Sequence, residues 1–174
     1  TVGTGTEEVG LLPPEIRENK ECKSCKLFSD EEKLKIWRNS RKGLEFMDEK
    51  NDVLLHGAVD NILVKGKKLI VLDFKTRGYP LKEDTHKHYQ TQMDLYNFLL
   101  KENGYEIEDY TCLLFYYPNK VLETGEVIFD TVLKKIKTSA EEGERIFLKA
   151  VKIIKGNIPK LNKDCGFCGW SKQA

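Results

Sequence analysis

The sequence lacks any long apolar run. No stretch of its 174 residues approaches the roughly 18 apolar residues that a membrane-spanning helix requires. We expect no secretory signal peptide, and the five cysteines are an odd number, which is typical of a reduced, intracellular protein rather than of a disulfide framework. We therefore expect a cytoplasmic protein without a membrane segment.

A large net charge is lacking as well. The 29 Lys and Arg residues nearly cancel the 28 Asp and Glu residues, so the formal net charge at pH 7 is only +1. A global basic field therefore cannot be the basis of nucleic-acid binding, and any contact with DNA must depend on local patches. With 40% hydrophobic and 10% aromatic residues, the chain has enough apolar material for one core.

Residues 1–174 are expected to form a single domain whose N-terminal part is missing. The first twenty residues are polar and contain glycine and proline, and the chain begins with Thr rather than Met.

Hydrophobic patterning predicts a mixed α/β chain. Two β-branched, apolar runs on either side of the turn Lys65-Gly66-Lys67 predict a β-hairpin of Ala58 to Val64 and Leu69 to Phe74. The other predicted elements are a charged, partly amphipathic helix over Asp30 to Glu49, a helix over Thr85 to Asn103, a strand over Tyr110 to Tyr117 stopped by Pro118, a strand over Glu126 to Leu133 and a helix over Ala140 to Lys155. This order predicts a small mixed central sheet flanked by helices.

The hairpin carries two carboxylates and a lysine. Asp60 ends the motif Gly-Ala-Val-Asp, and Asp73 and Lys75 belong to Asp-Phe-Lys on the second strand. Residues two apart on a strand share a face, so Asp73 and Lys75 are expected to point together near the Asp60 end of the hairpin. Carboxylate and carbonyl oxygens suit Mg²⁺ or Mn²⁺, and a lysine beside the cation can offset charge on a phosphate. On Asp-x-Lys alone, a solvated strand face is the alternative.

Three short motifs follow one another along the chain. They are Gly-x-x-Asp ending at Asp60, Asp-x-Lys from Asp73 to Lys75, and Gln92-Met-Asp-Leu-Tyr96 inside a predicted helix. In this order they resemble the PD-(D/E)XK nuclease superfamily and, more narrowly, its RecB-type branch, which includes helicase-linked exonucleases and CRISPR-associated nucleases. The resemblance covers roughly Leu55 to Tyr117, with a further match at the C-terminal cysteines.

The resemblance implies a restriction-endonuclease-like core and assigns roles to these residues. Asp60 and Asp73 would be metal ligands together with the backbone carbonyl of Phe74, and Lys75 would be the catalytic lysine. The chemistry implied is hydrolysis of phosphodiester bonds by a Mg²⁺- or Mn²⁺-dependent deoxyribonuclease, acting as an exonuclease on single-stranded or end-containing DNA. DNA would be the substrate, and a helicase or other nuclease-complex proteins would be partners. A non-cleaving nucleic-acid-binding or adaptor module with the same fold is the alternative.

The third motif and the upstream metal ligand are less defined. Gln92 and Tyr96 lie one helical turn apart, and the resemblance places both at the active site; an ordinary amphipathic helix with Tyr96 in the core is the alternative. Relatives also carry a His or Glu ligand upstream. Glu45, Glu49 and His56 are available here, and His56 would share a strand face with Asp60, although a packed or surface histidine is the alternative reading.

Four of the five cysteines form two Cys-x-x-Cys pairs. Cys22 with Cys25 and Cys165 with Cys168 would complete the four-sulfur shell of a structural zinc site or an iron–sulfur cluster. Such a site would clasp the two ends of the domain, as an iron–sulfur cluster does in some RecB-type relatives, although those have one upstream and three downstream cysteines. Two pairs without a metal are the alternative. Cys112, in an apolar strand, is expected to be a small buried hydrophobe.

Local basic patches with aromatic neighbours are the candidates for DNA contact. They are the hairpin turn with Lys67, the pair Lys75 and Arg77, and the segment Lys82 to Lys87 ahead of Tyr89. Bases stack on exposed tyrosines, and lysines and arginines attract the phosphate backbone. We expect Lys67, Arg77 and Tyr89 to contact DNA, whereas each patch taken singly is also consistent with a solvated turn.

Overall fold

A computed structural model describes residues 12–20, 22–157 and 160–171. Its helices are α1 (Pro14–Arg17), α2 (Glu31–Trp37), α3 (Gln90–Glu102), α4 (Ala140–Ile154) and α5 (Gly166–Ser171), with a 3₁₀ turn over Thr85–Tyr89 directly before α3. Its strands are β1 (Lys26–Leu27), β2 (Leu44–Asp48), β3 (Val53–Gly57), β4 (Asn61–Lys65), β5 (Lys68–Thr76), β6 (Tyr110–Val121) and β7 (Val127–Lys137).

Five strands form a central mixed sheet in the order β1-β4-β5-β6-β7. Strands β5 and β6 are parallel and the other neighbours are antiparallel, while β2 and β3 form a separate two-stranded sheet. The predicted mixed sheet flanked by helices is therefore confirmed. None of the helices within the described residues has the length and apolar content of a membrane span.

The predicted hairpin is confirmed as β4 and β5, with shifted ends. The strands pair from Asn61 with Leu72 to Lys65 with Lys68, and a two-residue turn joins them. Gly66 adopts φ +62° in that turn, a backbone conformation that favours glycine.

Each face of the central sheet is covered by its own set of apolar side chains. On one face α3 packs against β5 and β6, and Met93, Leu99, Val71 and Phe115 are buried together there. The opposite face is covered by α1 and the segment that follows it. Strand β5 is buried on both faces, which explains its nearly continuous apolar sequence up to Asp73.

Helix α4 packs on α3 through an unusually close backbone contact. A Cβ atom at Gly143 would lie 2.3 Å from the carbonyl oxygen of Asp94 on α3. Only glycine permits this approach. Phe98 and Phe147 stack beside the contact, with ring centroids 5.9 Å apart. Helix α4 thereby supports α3, the helix that carries Gln92 and Tyr96.

The helix predicted over Asp30 to Glu49 was wrong in its second half. Helix α2 ends at Trp37, and the chain turns before β2 begins at Leu44. At the turn, Gly43 has φ +66° and a Cβ there would lie 2.4 Å from the carbonyl oxygen of Gly57, so tertiary contact with β3 ends the helical pattern.

The end predicted for the third strand was also wrong, because β6 continues beyond Pro118 to Val121. Its pairing with β7 shifts register between Pro118 and Lys120. Such an irregularity tolerates a residue without a backbone N–H.

Candidate active site

The pairing of β4 with β5 brings the two predicted carboxylates together. Asn61 pairs with Leu72, so the residues that extend this register, Asp60 and Asp73, meet at the same end of the hairpin. The Asp60 Oδ2 atom accepts a hydrogen bond of 2.8 Å from the backbone N–H of Phe74. A hydrogen bond to the residue between Asp73 and Lys75 thus fixes the Asp60 carboxylate beside the Asp-x-Lys motif.

The end of α2 holds the segment that carries Asp60. The backbone N–H of Val59 donates to the carbonyl oxygen of Trp37 at 3.0 Å. The guanidinium Nε of Arg38 donates to the carbonyl oxygen of Asp60 at 2.7 Å. Arg38 belongs to none of the three motifs, and its contact joins residues 22 positions apart, so the sequence alone does not identify it as part of the site.

Asp73 is a buried carboxylate at the end of an apolar strand, only 2% exposed. Burial raises the pKa of Asp73 above its ordinary value, the neighbouring Lys75 lowers it, and the charge of Asp60 raises it further. Lys75 Nζ lies 2.6 Å from Asp73 Oδ2, and the two side chains form an ion pair. A carboxylate oxygen has two lone pairs, so Oδ2 keeps one for another partner.

Lys75 is held from the helix side by the third motif. Gln92 Oε1 accepts a hydrogen bond of 3.1 Å from Lys75 Nζ, and the ring of Tyr89 lies 4.7 Å from the same ammonium. Gln92 Nε2 donates to the Tyr96 hydroxyl at 2.9 Å, and that hydroxyl donates to the carbonyl oxygen of Ala58 at 2.5 Å. A continuous chain of hydrogen bonds therefore joins Lys75, through α3, to the strand end that precedes Asp60. Burial raises the pKa of the Tyr96 hydroxyl, which keeps it protonated as a donor.

The donor set fits a hard divalent cation. The described residues contain no group of three or more His, Cys, Asp and Glu side chains that could hold a metal ion. A cation would therefore use the two carboxylates of Asp60 and Asp73 and complete its shell with a backbone carbonyl, such as that of Phe74, and with water. This is how Mg²⁺ is commonly bound, by one or two carboxylates and several waters.

His56 does not share a strand with Asp60, so that part of the prediction was wrong. Strand β3 ends at Gly57, and Asp60 follows in the connection to β4. His56 is exposed on β3 and pairs in register with Glu45 on β2. Neither residue forms a metal-binding group with the two aspartates in the described parts of the chain.

Of the three predicted DNA contacts, Tyr89 lies beside Lys75, Arg77 follows directly after the end of β5, and Lys67 lies at the opposite end of that strand. Tyr89 packs on the Lys75 ammonium, and the Arg77 guanidinium lies 4.6 Å from the ring of Tyr79, which is 57% exposed. Lys67 lies in the β4–β5 turn, about 25 Å from Lys75 along β5 at the rise of a strand. A contact of Lys67 with DNA stays a prediction, and such a contact would lie far from the candidate active site.

The cysteines divide into a buried group and a partly exposed pair. Cys22, Cys25 and Cys112 share one apolar cluster, where Cys22 Sγ lies 4.0 Å from Cys112 Sγ. Burial and the neighbouring Cys22 raise the pKa of the Cys25 thiol to about 11. Cys112 is buried as predicted, but it contacts a second cysteine.

Cys165 and Cys168 lie at α5 and are partly exposed. Hydrogen bonds from the Cys168 and Phe167 backbone and the Cys168 side chain lower the pKa of Cys165. Among the described residues, the cysteines belong to no group of three or more His, Cys, Asp and Glu side chains that could hold a metal ion. The described residues thus give no support to a zinc or iron–sulfur site shared by the two pairs, and that site stays a prediction.

Known proteins include a family and solved structures that are similar to this chain. The model of the PD-(D/E)XK nuclease superfamily matches residues 15–173. No curated protein matches the chain. The crystal structure of SSO0001 is similar, with 20% sequence identity and a TM-score of 0.46, and the match covers 75% of this chain and 55% of that chain. This chain thus spans just over half the length of that structure.

Proposed function

The chain belongs to the PD-(D/E)XK nuclease superfamily, and from that premise we propose that it is a divalent-metal-dependent deoxyribonuclease. The observation that supports the proposal most directly is the convergence of Asp60, Asp73 and Lys75 at one end of the β4–β5 hairpin. The central mixed sheet flanked by helices is consistent with the restriction-endonuclease-like fold of this superfamily.

The proposed mechanism assigns one task to each residue of the site. Asp60 and Asp73 would hold Mg²⁺ or Mn²⁺, which supplies Lewis acidity toward the phosphate and a more acidic water. Lys75 would place its ammonium beside the phosphate oxygens, where negative charge increases during hydrolysis. Gln92 and Tyr96 would keep Lys75 oriented before the substrate binds, so no reorganisation is needed during the reaction.

We propose single-stranded or end-containing DNA as the substrate and an exonuclease mode of action. Support comes from the RecB-type resemblance of the three motifs and from Tyr79 with Arg77, an exposed aromatic and cation pair near the end of β5. Stacking on such a tyrosine tolerates any base sequence. Cooperation with a helicase or another nuclease-complex protein is proposed from the same resemblance alone.

The experiment is a cleavage assay on labelled linear and circular DNA, single- and double-stranded, with Mg²⁺, Mn²⁺ or a chelator. We expect cation-dependent cleavage of linear single strands and none in Asp60→Ala or Asp73→Ala. Glu144→Gln, an exposed carboxylate on α4, serves as the control and should cleave normally. Cleavage of circular strands would replace the exonuclease assignment with an endonuclease one, and full activity of Asp73→Ala would overturn the mechanism.

A further inference from the structure

The turn that joins α2 to β2 carries three cations within five residues. They are Arg38, Arg41 and Lys42, and residues 38–42 contain no Asp or Glu. All three side chains are exposed, and none of them forms an ion pair within the part of the chain that the structure describes. The turn is therefore a concentrated positive charge on a chain whose net charge is close to zero.

This basic turn begins at Arg38, which contacts the candidate active site. The Arg38 Nε atom donates to the carbonyl oxygen of Asp60 at 2.7 Å, which places the guanidinium beside the residue that would bind the cation. A guanidinium has five N–H donors in a fixed fork, and this hydrogen bond uses one. The remaining donors are available to a phosphate, whose oxygens match the fork geometry.

The backbone of the turn is fixed by its own hydrogen bonds. The Asn39 Oδ1 atom accepts from the backbone N–H of Arg41 at 2.9 Å and of Lys42 at 3.2 Å. The N–H of Gly43 donates to the carbonyl oxygen of Ile36 at 3.2 Å. A turn that is already ordered loses less conformational freedom when it binds a ligand.

We propose that the basic turn of residues 38–42 binds the phosphates of a DNA strand on the Asp60 side of the active site. Arg38 contacts the phosphate nearest to the cation, and Arg41 and Lys42 contact phosphates further along the strand. This proposal rests on the proposed function, which identifies DNA as the ligand. An arginine at the end of α2 is also favoured by the helix dipole, but that effect explains neither the Asp60 contact nor the two cations in the turn.

The test is the salt dependence of DNA binding, measured by fluorescence anisotropy of a labelled single-stranded oligonucleotide in chelator. The slope of log K against log salt is negative, and each lost phosphate contact reduces its magnitude by about 0.7. We expect a decrease of about 1.4 in Arg41→Gln/Lys42→Gln and of about 0.7 in Arg38→Gln. Lys149→Gln/Lys152→Gln removes the same charge as the first variant from exposed positions on α4, and its slope should equal that of the wild type.

The outcomes separate this inference from the proposed function. An unchanged slope in the double variant of the turn, or no salt-dependent binding by the wild-type protein, overturns the inference. The double variant leaves Arg38 and its contact with Asp60 in place, so disruption of the active site cannot produce its result. A wild-type protein that binds with the expected slopes but never cleaves DNA with Mg²⁺ or Mn²⁺ overturns the proposed function and supports the basic turn as a binding surface.

Discussion

Lys75 and Asp73 form an ion pair of 2.6 Å at the end of β5, with the carboxylate almost fully buried and the ammonium partly exposed. The two residues lie two apart on one strand and share a face. The pair therefore presents a buried negative oxygen and a positive donor side by side, which is the arrangement that the proposed metal-assisted attack on a phosphate would use.

Replacing Lys75 by Met should abolish most of the activity without unfolding the protein. The substitution keeps most of the apolar stem but removes the ammonium beside the phosphate, and loss of one such electrostatic contact costs about 10²- to 10³-fold in kcat. Single-turnover cleavage with Mn²⁺ measures the effect, and DNA affinity is measured in parallel. A kcat within a few-fold of wild type would exclude the catalytic role of this lysine.

Tyr96→Phe should lower the free energy of unfolding and leave the affinity for the cation nearly unchanged. The hydroxyl is part of two hydrogen bonds, to Gln92 and to the Ala58 carbonyl, and its loss leaves a part-buried acceptor unpaired. The expected cost is about 1–3 kcal/mol in the free energy of unfolding. Urea unfolding gives this value, while Mn²⁺ titration should give a dissociation constant close to that of the wild type. Unchanged stability would show that the hydroxyl bonds are not formed in solution.

Cation binding should stabilise the protein more at high pH than at low pH. Burial is the chief cause that raises the pKa of Asp73 in the folded protein above its value in the unfolded chain. The protonated carboxyl therefore favours the folded state. This stabilisation is fully present below the unfolded pKa and is lost as the pH rises through the folded pKa. A divalent cation binds the ionised form and offsets the loss. Thermal unfolding with and without Mn²⁺ from pH 4 to 8 should show a shift in Tm that grows with pH. Asp73→Asn should show a smaller shift without this pH dependence.

Gly143→Ala should destabilise the packing of α4 on α3 by about 1–3 kcal/mol. The added methyl group would meet the Asp94 carbonyl oxygen at 2.3 Å, and backbone cannot move aside as a flexible side chain can. Gly78→Ala is the matched control, since a Cβ there meets nothing within 4 Å. Denaturant unfolding of both variants tests the contact, and equal stabilities would contradict the close approach of the helices.

Cys165 should react faster than the three buried thiols of the native protein, Cys22, Cys25 and Cys112. Its lowered pKa gives a larger thiolate fraction at neutral pH, whereas the pKa of buried Cys25 is about 11 and its thiol stays protonated. Limited alkylation of chelator-treated protein, followed by peptide mass spectrometry, should modify Cys165 before Cys22, Cys25 and Cys112. Equal modification of all five cysteines in the folded protein would contradict this order.

The hairpin and the three motifs could be predicted from the sequence because they depend on short-range rules. Alternation along β4 and β5 and the glycine turn at Gly66 fix which strand ends meet, so the convergence of Asp60 with Asp73 follows from local pattern. The spacing of Gln92 and Tyr96 on a helix could likewise be inferred from the residues themselves.

Tertiary contacts decided what local pattern could not. The helical pattern after Trp37 yields to β2 because Gly43 packs against the β3 backbone, and β6 passes Pro118 because β7 pairs with it through a register shift. The hydrogen bond from Arg38 to Asp60 and the meeting of Cys112 with Cys22 join residues 22 and 90 positions apart. Such contacts leave no periodic signal in a sequence, since they arise only when separately formed elements pack together.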